Sequence, residues 1–233
     1  MRVLIFGATG MVGQGVLREC LRDPDVECVQ TIGRTPTGQF DPRLREIIHR
    51  DMTDYRSMEG SLTDFDVCFF CLGVSSVGMS EADYTKITYD ITLAAAETLA
   101  RLSPQMTFVF VSGAGTDSTE QGRSMWARVK GRTENALQRL PFRAVYLFRP
   151  GVIQPLHGIH SKTRLYRAIY ALVGPLLTTL RVLLPNYVQT TATIGQAMLA
   201  VARDGAPTAI VEARDIEAIA RAASRRASGM AAT

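Results

Sequence analysis

Tryptophan, histidine and cysteine are scarce in this chain, with one, three and four residues among 233. The loop sequence "HGIH" holds His157 and His160, but no cysteine or aspartate lies close by to complete a metal site, so no metal is predicted. Cys68 and Cys71 have redox-motif spacing, yet they lie in the apolar run "CFFC" and not at a helix N-terminus. This placement predicts buried structural thiols.

Long apolar runs and a strong excess of one charge are also missing. The most apolar run, residues 168–180, is too short to span a bilayer and contains Gly174-Pro175. The net charge is +4, and the arginines form no basic stripe with interleaved aromatic residues, so a nucleic-acid partner is not predicted. The chain opens on strand residues without a charged leader, and we expect a cytoplasmic protein with no membrane span.

The first 150 residues alternate between short apolar runs and amphipathic helical patterns. The predicted strands are RVLIF, CVQTIG, REIIHR, DVCFFCLG, MTFVFVSG and RAVYLFRPG. The predicted helices are GQGVLRECLRD, ADYTKITYDITLAAAETLARL and WARVKGRTENALQRL, and Ser80 is a possible cap of the second. Such alternation is typical of an α/β Rossmann fold, a doubly wound parallel sheet with helices on both faces.

The first turn between strand and helix carries a glycine pattern. "GATGMVG" places Gly7, Gly10 and Gly13 three residues apart, directly after the first strand and at the opening of a helix. The first glycine permits a tight turn, the second lets a pyrophosphate approach the main chain, and the third lets the helix pack closely. The free N–H groups of the helix N-terminus then favour an anion, so the pattern predicts a dinucleotide site.

The ends of the second and third strands bear on which dinucleotide binds. Gly33 stands where an NAD-binding protein would carry a carboxylate, and Arg34 offers a guanidinium that can bind a 2′-phosphate. NADP(H) is therefore preferred over NAD(H), with a solvated loop cation as the alternative for Arg34. Asp51 could accept a hydrogen bond from the adenine amino group with Met52 against the ring, or else serve as a helix cap.

These motifs resemble the atypical or extended branch of the short-chain dehydrogenase/reductase family. The stretch "VKGRTENAL…FRAVYLFRPGVI" is most similar to the Tat-interacting-protein type of oxidoreductase and to bacterial NAD-dependent epimerase/dehydratase-like proteins. The resemblance implies a cofactor lying across the carboxyl ends of the strands. The implied cofactor-binding residues are Gly7, Thr9, Gly10, Met11, Val12, Gly13, Arg34, Asp51, Met52, Cys71, Leu72, Gly73, Lys130, Pro150, Gly151 and Val152.

The resemblance also implies carbonyl or alcohol chemistry in which a serine holds the substrate oxygen, a tyrosine transfers the proton and a lysine binds the nicotinamide ribose. Ser112 matches the serine and Lys130 the lysine, but Trp126 stands in the tyrosine position. An indole N–H can donate a hydrogen bond but has no useful acidity near neutral pH. The expected tyrosine route is therefore closed.

Other proton donors are conceivable, but no motif supports them. Tyr84 and Tyr89 lie on the preceding long helix, where packing is the alternative role, and Ser124 is also a plausible helix cap. His157 follows "RPGVIQP", where the substrate cleft of the family opens. A substrate-borne acid or a water chain would serve as well.

Two functions follow from these residues. The first is an NADP-dependent oxidoreductase acting on a small carbonyl or hydroxyl substrate with altered proton donation. The second is a non-catalytic NAD(P)(H)-sensing regulator or scaffold.

We expect four regions along the chain. Residues 1–150 form the Rossmann core, and 151–208 a small, mostly helical substrate lobe. Residues 209–223 return to the core as a strand and a helix, and 224–233 form a basic, disordered tail.

Overall fold

The computed structural model describes residues 1–156, 159 and 187–230, with side chains described up to residue 226. The strands are β1 (Arg2–Phe6), β2 (Cys28–Gly33), β3 (Leu44–Ile48), β4 (Val67–Phe70), β5 (Thr107–Val111), β6 (Ala144–Arg149), β7 (Val152–Gln154), β8 (Val188–Thr190) and β9 (Ile210–Glu212). The α-helices are α1 (Met11–Arg22), α2 (Glu81–Thr85), α3 (Ile91–Leu102), α4 (Met125–Leu137), α5 (Thr191–Asp204) and α6 (Ala213–Met230).

The main sheet has seven parallel strands in the order β3-β2-β1-β4-β5-β6-β9. From β1 the chain adds β2 and β3 on one side and then continues with β4 on the other side of β1. The switch point therefore lies between β1 and β4, and at such a point α/β sheets open a ligand crevice. The predicted α/β Rossmann class is confirmed. The bounds of β1 and β2 agree with the prediction, because both strands are uninterrupted apolar runs between turn residues.

Two hydrophobic layers cover the sheet, one on each face. Alternate residues of β1 point to opposite layers, since Val3 and Ile5 join one cluster and Leu4 and Phe6 the other. The first layer is supplied by α1, α5 and α6, and the second by α3 and α4. Both layers leave the carboxyl ends of the parallel strands at one edge, where the glycine turn lies.

The long helix predicted between the fourth and fifth strands is continuous but not uniform. Ser80 caps its start by accepting a hydrogen bond from the Asp83 N–H at 3.1 Å. A π-helical segment, Lys86–Asp90, joins α2 to α3. This segment packs against α4, the helix that carries Trp126 and Lys130. Such π segments are frequent at functional sites.

The C-terminal organisation differs from the expected lobe and tail. The helix α5 lies within the predicted lobe, yet it packs on α1 and contributes Ile194, Ala197 and Met198 to the core. The helix α6 continues to Met230, so residues 224–230 are helical where disorder was expected. Composition misled here, because small and basic residues also form good helices. Residues 160–186, which form nearly half of the expected lobe, lie outside the described residues.

Helices α1 and α5 approach closely because glycines face the contact. A Cβ on Gly15 would lie 2.6 Å from both the Cβ and the carbonyl oxygen of Thr191, and one on Gly195 would lie 2.9 Å from the Cγ of Glu19. Gln196 donates from Nε2 to Glu19 Oε2 at 3.1 Å across the same contact. None of the described helices is long and apolar enough to cross a membrane.

We expect the substitution Gly15→Ala to destabilise the protein by about 1–3 kcal/mol, because overpacking of this contact forces α1 and α5 apart. Urea denaturation followed by circular dichroism measures the change. Gly60→Ala is the matched control, since a Cβ there meets open space. Equal free energies of unfolding for the two variants would contradict the close packing of α1 on α5.

Candidate functional site

The turn after β1 is shaped by the absence of side chains. Gly7 has a φ of +77°, and a Cβ there would lie 2.6 Å from the main-chain nitrogen of Leu72. A Cβ on Gly13 would lie 2.1 Å from the carbonyl oxygen of Gly7, so the helix packs directly on the turn. The main chain of the glycine turn therefore lies directly against the main chain of the "CLG" segment after β4.

The N-terminus of α1 offers free hydrogen-bond donors. Gly10 donates to the Gly7 carbonyl at 2.9 Å, and Gln14 N–H donates to Gly10 at 2.8 Å. Among the described residues, the main-chain N–H groups of Met11, Val12 and Gly13 have no acceptor. The first turn of α1 contains no acidic side chain. This combination of free N–H groups, helix dipole and no competing carboxylate suits a phosphate group.

Arg34 follows β2 and Asp51 follows β3, and their hydrogen bonding differs. Arg34 is exposed and makes no hydrogen bond or ion pair with the described part of the chain. Asp51 is exposed and accepts from the N–H and hydroxyl of Thr53 at 3.0 and 2.6 Å, and these bonds lower its pKa. Met52 is buried in the core cluster, so its side chain does not line an open cleft.

The "CLG" segment continues β4 at the cleft. Cys71 donates its main-chain N–H to Phe6 at 2.9 Å, which extends the pairing of β4 with β1 by one residue. Burial raises the thiol pKa of Cys68 and Cys71, and also that of Cys20. All of these thiols are free, and their protonated state agrees with a structural role.

Lys130 contacts a main-chain carbonyl and an aromatic ring. Its Nζ donates to the main-chain carbonyl of Ser112 at 2.7 Å and lies 5.7 Å from the ring centroid of Phe110. Desolvation lowers the pKa of Lys130 to about 8, while the charge of Glu134 opposes this shift. The lysine is half-buried at the carboxyl end of β5, beside the glycine-rich loop that follows the strand.

Ser112 has a different partner from the one expected of it. Its hydroxyl is buried and donates to Glu134 Oε1 at 2.5 Å, with the Phe148 carbonyl at 3.2 Å as a second acceptor. The hydroxyl is thus held inside the protein in place of facing a substrate. A role in holding a substrate oxygen requires this bond to Glu134 to open.

Glu134 and Arg149 form a buried ion pair that the sequence reasoning missed. Arg149 donates from both Nε and Nη2 to the two carboxylate oxygens of Glu134, at 3.1 and 2.5 Å. Arg149 also donates to Ser118 Oγ at 2.6 Å and to Glu212 Oε1 at 3.2 Å. We name the set the buried network after its three buried members, Ser112, Glu134 and Arg149, which bind the exposed Ser118 and the half-buried Glu212 at its rim. The available signals were a glutamate one helical turn after Lys130 and an arginine at the end of an apolar strand.

Trp126 packs beside the loop that follows β5. Gly115 has a φ of +86°, and a Cβ placed on it would lie 3.5 Å from Cη2 of the indole. Because no side chain stands at residue 115, the indole covers the main chain of this loop. Trp126 is half-buried and makes no hydrogen bond within the described residues.

The loop before α4 is fixed on the helix that carries Trp126 and Lys130. The Asp117 N–H donates to the Ala127 carbonyl at 3.1 Å, and a Cβ on Gly131 would lie 1.7 Å from the Asp117 carbonyl oxygen. Asn135 donates to the Ser118 carbonyl at 3.0 Å and to Glu120 at 2.7 Å. This wall of the candidate site is therefore held by α4 itself.

Tyr84, Tyr89 and Ser124, the alternative proton donors, differ in their burial and contacts. Tyr84 is only 2% exposed, and burial raises its pKa. The ring of Tyr89 lies under the guanidinium of Arg132, 4.6 Å from ring centroid to Cζ. Ser124 precedes α4 at the cap position, although its side chain makes no capping bond. His157 and His160 lie outside the described residues, and the described residues contain no cluster of potential metal ligands.

In the "RPG" segment at the end of β6, the Pro150 carbonyl and the Gly151 N–H are hydrogen-bonded to other parts of the protein. The Pro150 carbonyl accepts from Ala114 N–H at 2.8 Å, and the Gly151 N–H donates to the side chain of Gln189 at 2.8 Å. A Cβ on Gly151 would lie 2.5 Å from the Tyr187 carbonyl, and Val152 begins the small β7–β8 sheet with its side chain half exposed. The segment joins the loop after β5 to β8.

A model of the NAD dependent epimerase/dehydratase family matches residues 3–124, slightly more than half of the chain. The chain belongs to this family. The family resemblance predicted from the sequence is thereby confirmed.

Curated relatives of this family member include fungal and mammalian proteins. "Protein fmp52, mitochondrial" of Emericella nidulans is 30% identical over 158 residues, which is 65% of this chain and 66% of the relative. "Protein HTATIP2" of Rattus norvegicus is 28% identical over 154 residues, 65% of this chain and 62% of that protein. The matched part thus spans slightly less than two thirds of these relatives.

Solved structures support the fold of this family member. The Bordetella bronchiseptica enzyme WbmF, in complex with NAD+, superposes with a TM-score of 0.67 at 15% identity, over 96% of this chain and 77% of that one. A UDP-glucuronic acid 4-epimerase from Bacillus cereus superposes with a TM-score of 0.63 at 13% identity, over 91% of this chain and 77% of that one. At these identities the likeness concerns the fold.

The buried network gives a stability test within this family member. We expect Glu134→Gln to destabilise the fold by about 3–5 kcal/mol, because it leaves the Arg149 charge buried without its main partner. Glu212→Gln removes the other carboxylate on the same arginine, but its side chain is 41% exposed and the expected loss is about 1 kcal/mol or less. Thermal and urea unfolding measure both, and similar losses would contradict the central role of Glu134.

Proposed function

We propose that this protein is an NADP-dependent oxidoreductase that acts on a small carbonyl or hydroxyl compound without a tyrosine acid. The observation that carries the proposal is the α1 N-terminus at the switch point, with three free N–H groups beside the main chain of the "CLG" segment. The complexes of WbmF with NAD+ and NADH support a dinucleotide as the ligand class. When bound, a reduced dinucleotide supplies a hydride.

The residues present fit such a group along the carboxyl edge of the sheet. Met11, Val12 and Gly13 would hold the pyrophosphate through their main-chain N–H groups. Lys130 would bind the nicotinamide ribose with the ammonium hydrogens that Ser112 does not use. Asp51 has one carboxylate oxygen that makes no bond to Thr53, and this oxygen would accept a hydrogen bond from the adenine amino group.

The preference for NADP rests on the end of β2. Arg34 follows Gly33, is exposed, and has no carboxylate partner in the described chain, so its guanidinium is free to pair with a 2′-phosphate. An NAD-binding site would place an acidic side chain at this strand end, to accept the ribose hydroxyl. The cytoplasmic location stays a prediction.

A second candidate function is a cofactor-responsive regulator without turnover. The bond from the Ser112 hydroxyl to Glu134 favours it, because it takes up the hydroxyl that would hold a substrate. This candidate requires different affinities for NADP+ and NADPH, since a ligand shifts only the states that it binds unequally. Equal affinities together with carbonyl turnover would exclude it.

The test of the proposed function uses the single tryptophan, Trp126, as the reporter. Titration with NADPH is expected to quench its fluorescence, and a panel of aldehydes, ketones and quinones is then followed at 340 nm. Tight NADPH binding with oxidation by at least one carbonyl compound supports the oxidoreductase. Binding without turnover across the panel favours the regulator, and no binding of either dinucleotide contradicts both.

We expect Arg34→Ala to weaken NADPH binding by about 10- to 100-fold, as the loss of charge-assisted bonds worth about 1.5–3 kcal/mol would do. NADH affinity should change by less than about threefold, because NADH has no 2′-phosphate. Arg45→Ala is the control, since Arg45 is exposed on β3, the strand beside β2, and pairs in register with Gln30, away from the carboxyl edge. Equal losses for NADPH and NADH in Arg34→Ala would refute the proposed specificity.

A further inference from the structure

Reduction of a carbonyl group needs a proton at oxygen as well as a hydride at carbon, and in the described part of the chain Trp126 stands where the family resemblance places the tyrosine that would give it. Tyr84 is buried with a raised pKa, and Tyr89 is covered by Arg132. Ser112 donates its hydroxyl hydrogen to Glu134. Trp126 has an N–H without useful acidity near neutral pH.

Lys130 has protons to offer and a fixed position. One N–H of its ammonium group donates to the Ser112 carbonyl at 2.7 Å, and its other two have no acceptor among the described residues. The ammonium lies beside the face of Phe110, and the side chain is half-buried on α4 one helical turn after Trp126. It therefore stands one turn from the side chain that replaces the usual acid.

The buried network keeps Lys130 without a direct carboxylate partner. Glu134 lies one turn further along α4, but its two oxygens accept from Arg149 and Ser112, and no ion pair with Lys130 forms. The pKa of Lys130 is lowered to about 8 because desolvation outweighs the charge of Glu134. An acid with a pKa near the working pH is effective in general acid catalysis.

Within the described part of the chain, the charged and titratable groups of the elements packed against α4 supply no counterion to Lys130. On α2, Glu81 is paired with Arg128 at 2.6 Å, and Tyr84 is buried. On the π-helical segment, Tyr89 faces Arg132, and Lys86 and Asp90 are exposed. At the end of β5, Lys130 meets the neutral ring of Phe110 and the Ser112 carbonyl, and Arg149 of β6 is bound to Glu134.

We propose that Lys130 itself gives the proton to the carbonyl oxygen of the substrate, in the place of the missing tyrosine. The inference rests on the proposed function. In this step an Nζ–H bond of Lys130 breaks while the O–H bond of the alcohol forms, and the electron pair of the broken bond stays on Nζ. The carbonyl compound is reduced by the hydride of the dinucleotide, which is the co-reactant and is oxidised. Solvent returns a proton to the neutral amine.

The activity arm compares the wild type, Lys130→Arg, Lys130→Met and the double variant Trp126→Tyr/Lys130→Arg, with NADPH and 9,10-phenanthrenequinone or 4-nitrobenzaldehyde as probes. Wild-type kcat should fall as the pH rises through about 8, because the ammonium form is lost. Arginine keeps the charge and the N–H donors but does not release a proton, so kcat should fall by about 100-fold or more. NADPH affinity should stay within about threefold in Lys130→Arg.

The double variant should regain about 10-fold in kcat over Lys130→Arg, because the new tyrosine lies beside a cation that lowers its pKa.

A second arm does not depend on turnover. The chain has three lysines, Lys86, Lys130 and Lys162, so reductive ¹³C-methylation gives a simple NMR spectrum in which Lys130→Arg assigns one resonance by its absence. Its titration midpoint in the wild type should lie near 8, and thermal unfolding checks that each variant is folded. A midpoint above about 10, or Lys130→Arg turnover within threefold of wild type, overturns the lysine proposal alone. Wild-type protein that neither binds NADPH nor reduces either probe overturns the proposed function and the lysine step together.

Discussion

The buried ion pair between Glu134 and Arg149 is the interaction on which the candidate site depends. It joins α4 to β6, and its further hydrogen bonds reach the end of β5 through Ser112 and the β5–α4 loop through Ser118. Burial of two charges is unfavourable unless they are paired and the remaining donors and acceptors are satisfied. Here both carboxylate oxygens and the guanidinium make hydrogen bonds. The network therefore holds α4, β6 and the end of β5 together beside the candidate cleft.

The same network sets the electrostatics around Lys130. A lysine in a half-buried site normally gains from an adjacent carboxylate, and Glu134 is placed one turn away on the same helix. Because Arg149 and Ser112 already bind that carboxylate, Lys130 is left with a main-chain carbonyl and an aromatic face. Neither neutral partner stabilises the ammonium as a carboxylate would, and desolvation therefore dominates the pKa of Lys130.

The parts of this structure that follow from local patterns could be predicted from the sequence, and the parts made by distant contacts could not. The apolar runs of β1 and β2 and the glycine turn are read directly, because strand periodicity and turn chemistry are properties of neighbouring residues. The burial of the Ser112 hydroxyl depends on Glu134, 22 residues later, and the place of α5 depends on a contact between Glu19 and Gln196. A motif identifies Ser112 by position but says nothing of where its hydroxyl points.

Under the proposed function, the presence of Trp126 in the tyrosine position and the isolation of Lys130 are physically connected. In enzymes that have the tyrosine, the lysine must stay charged, since its charge is what lowers the tyrosine pKa. Once an indole takes that position, a permanently charged lysine has no acid to assist, and nothing requires its pKa to remain high. In that proposal, a lysine held by a carbonyl and a ring, with the Glu134 carboxylate bound elsewhere, binds the ribose and changes its protonation near neutral pH. Arg149 is important to this arrangement because arginine stays charged across the working pH range, and it therefore keeps both oxygens of Glu134 hydrogen-bonded.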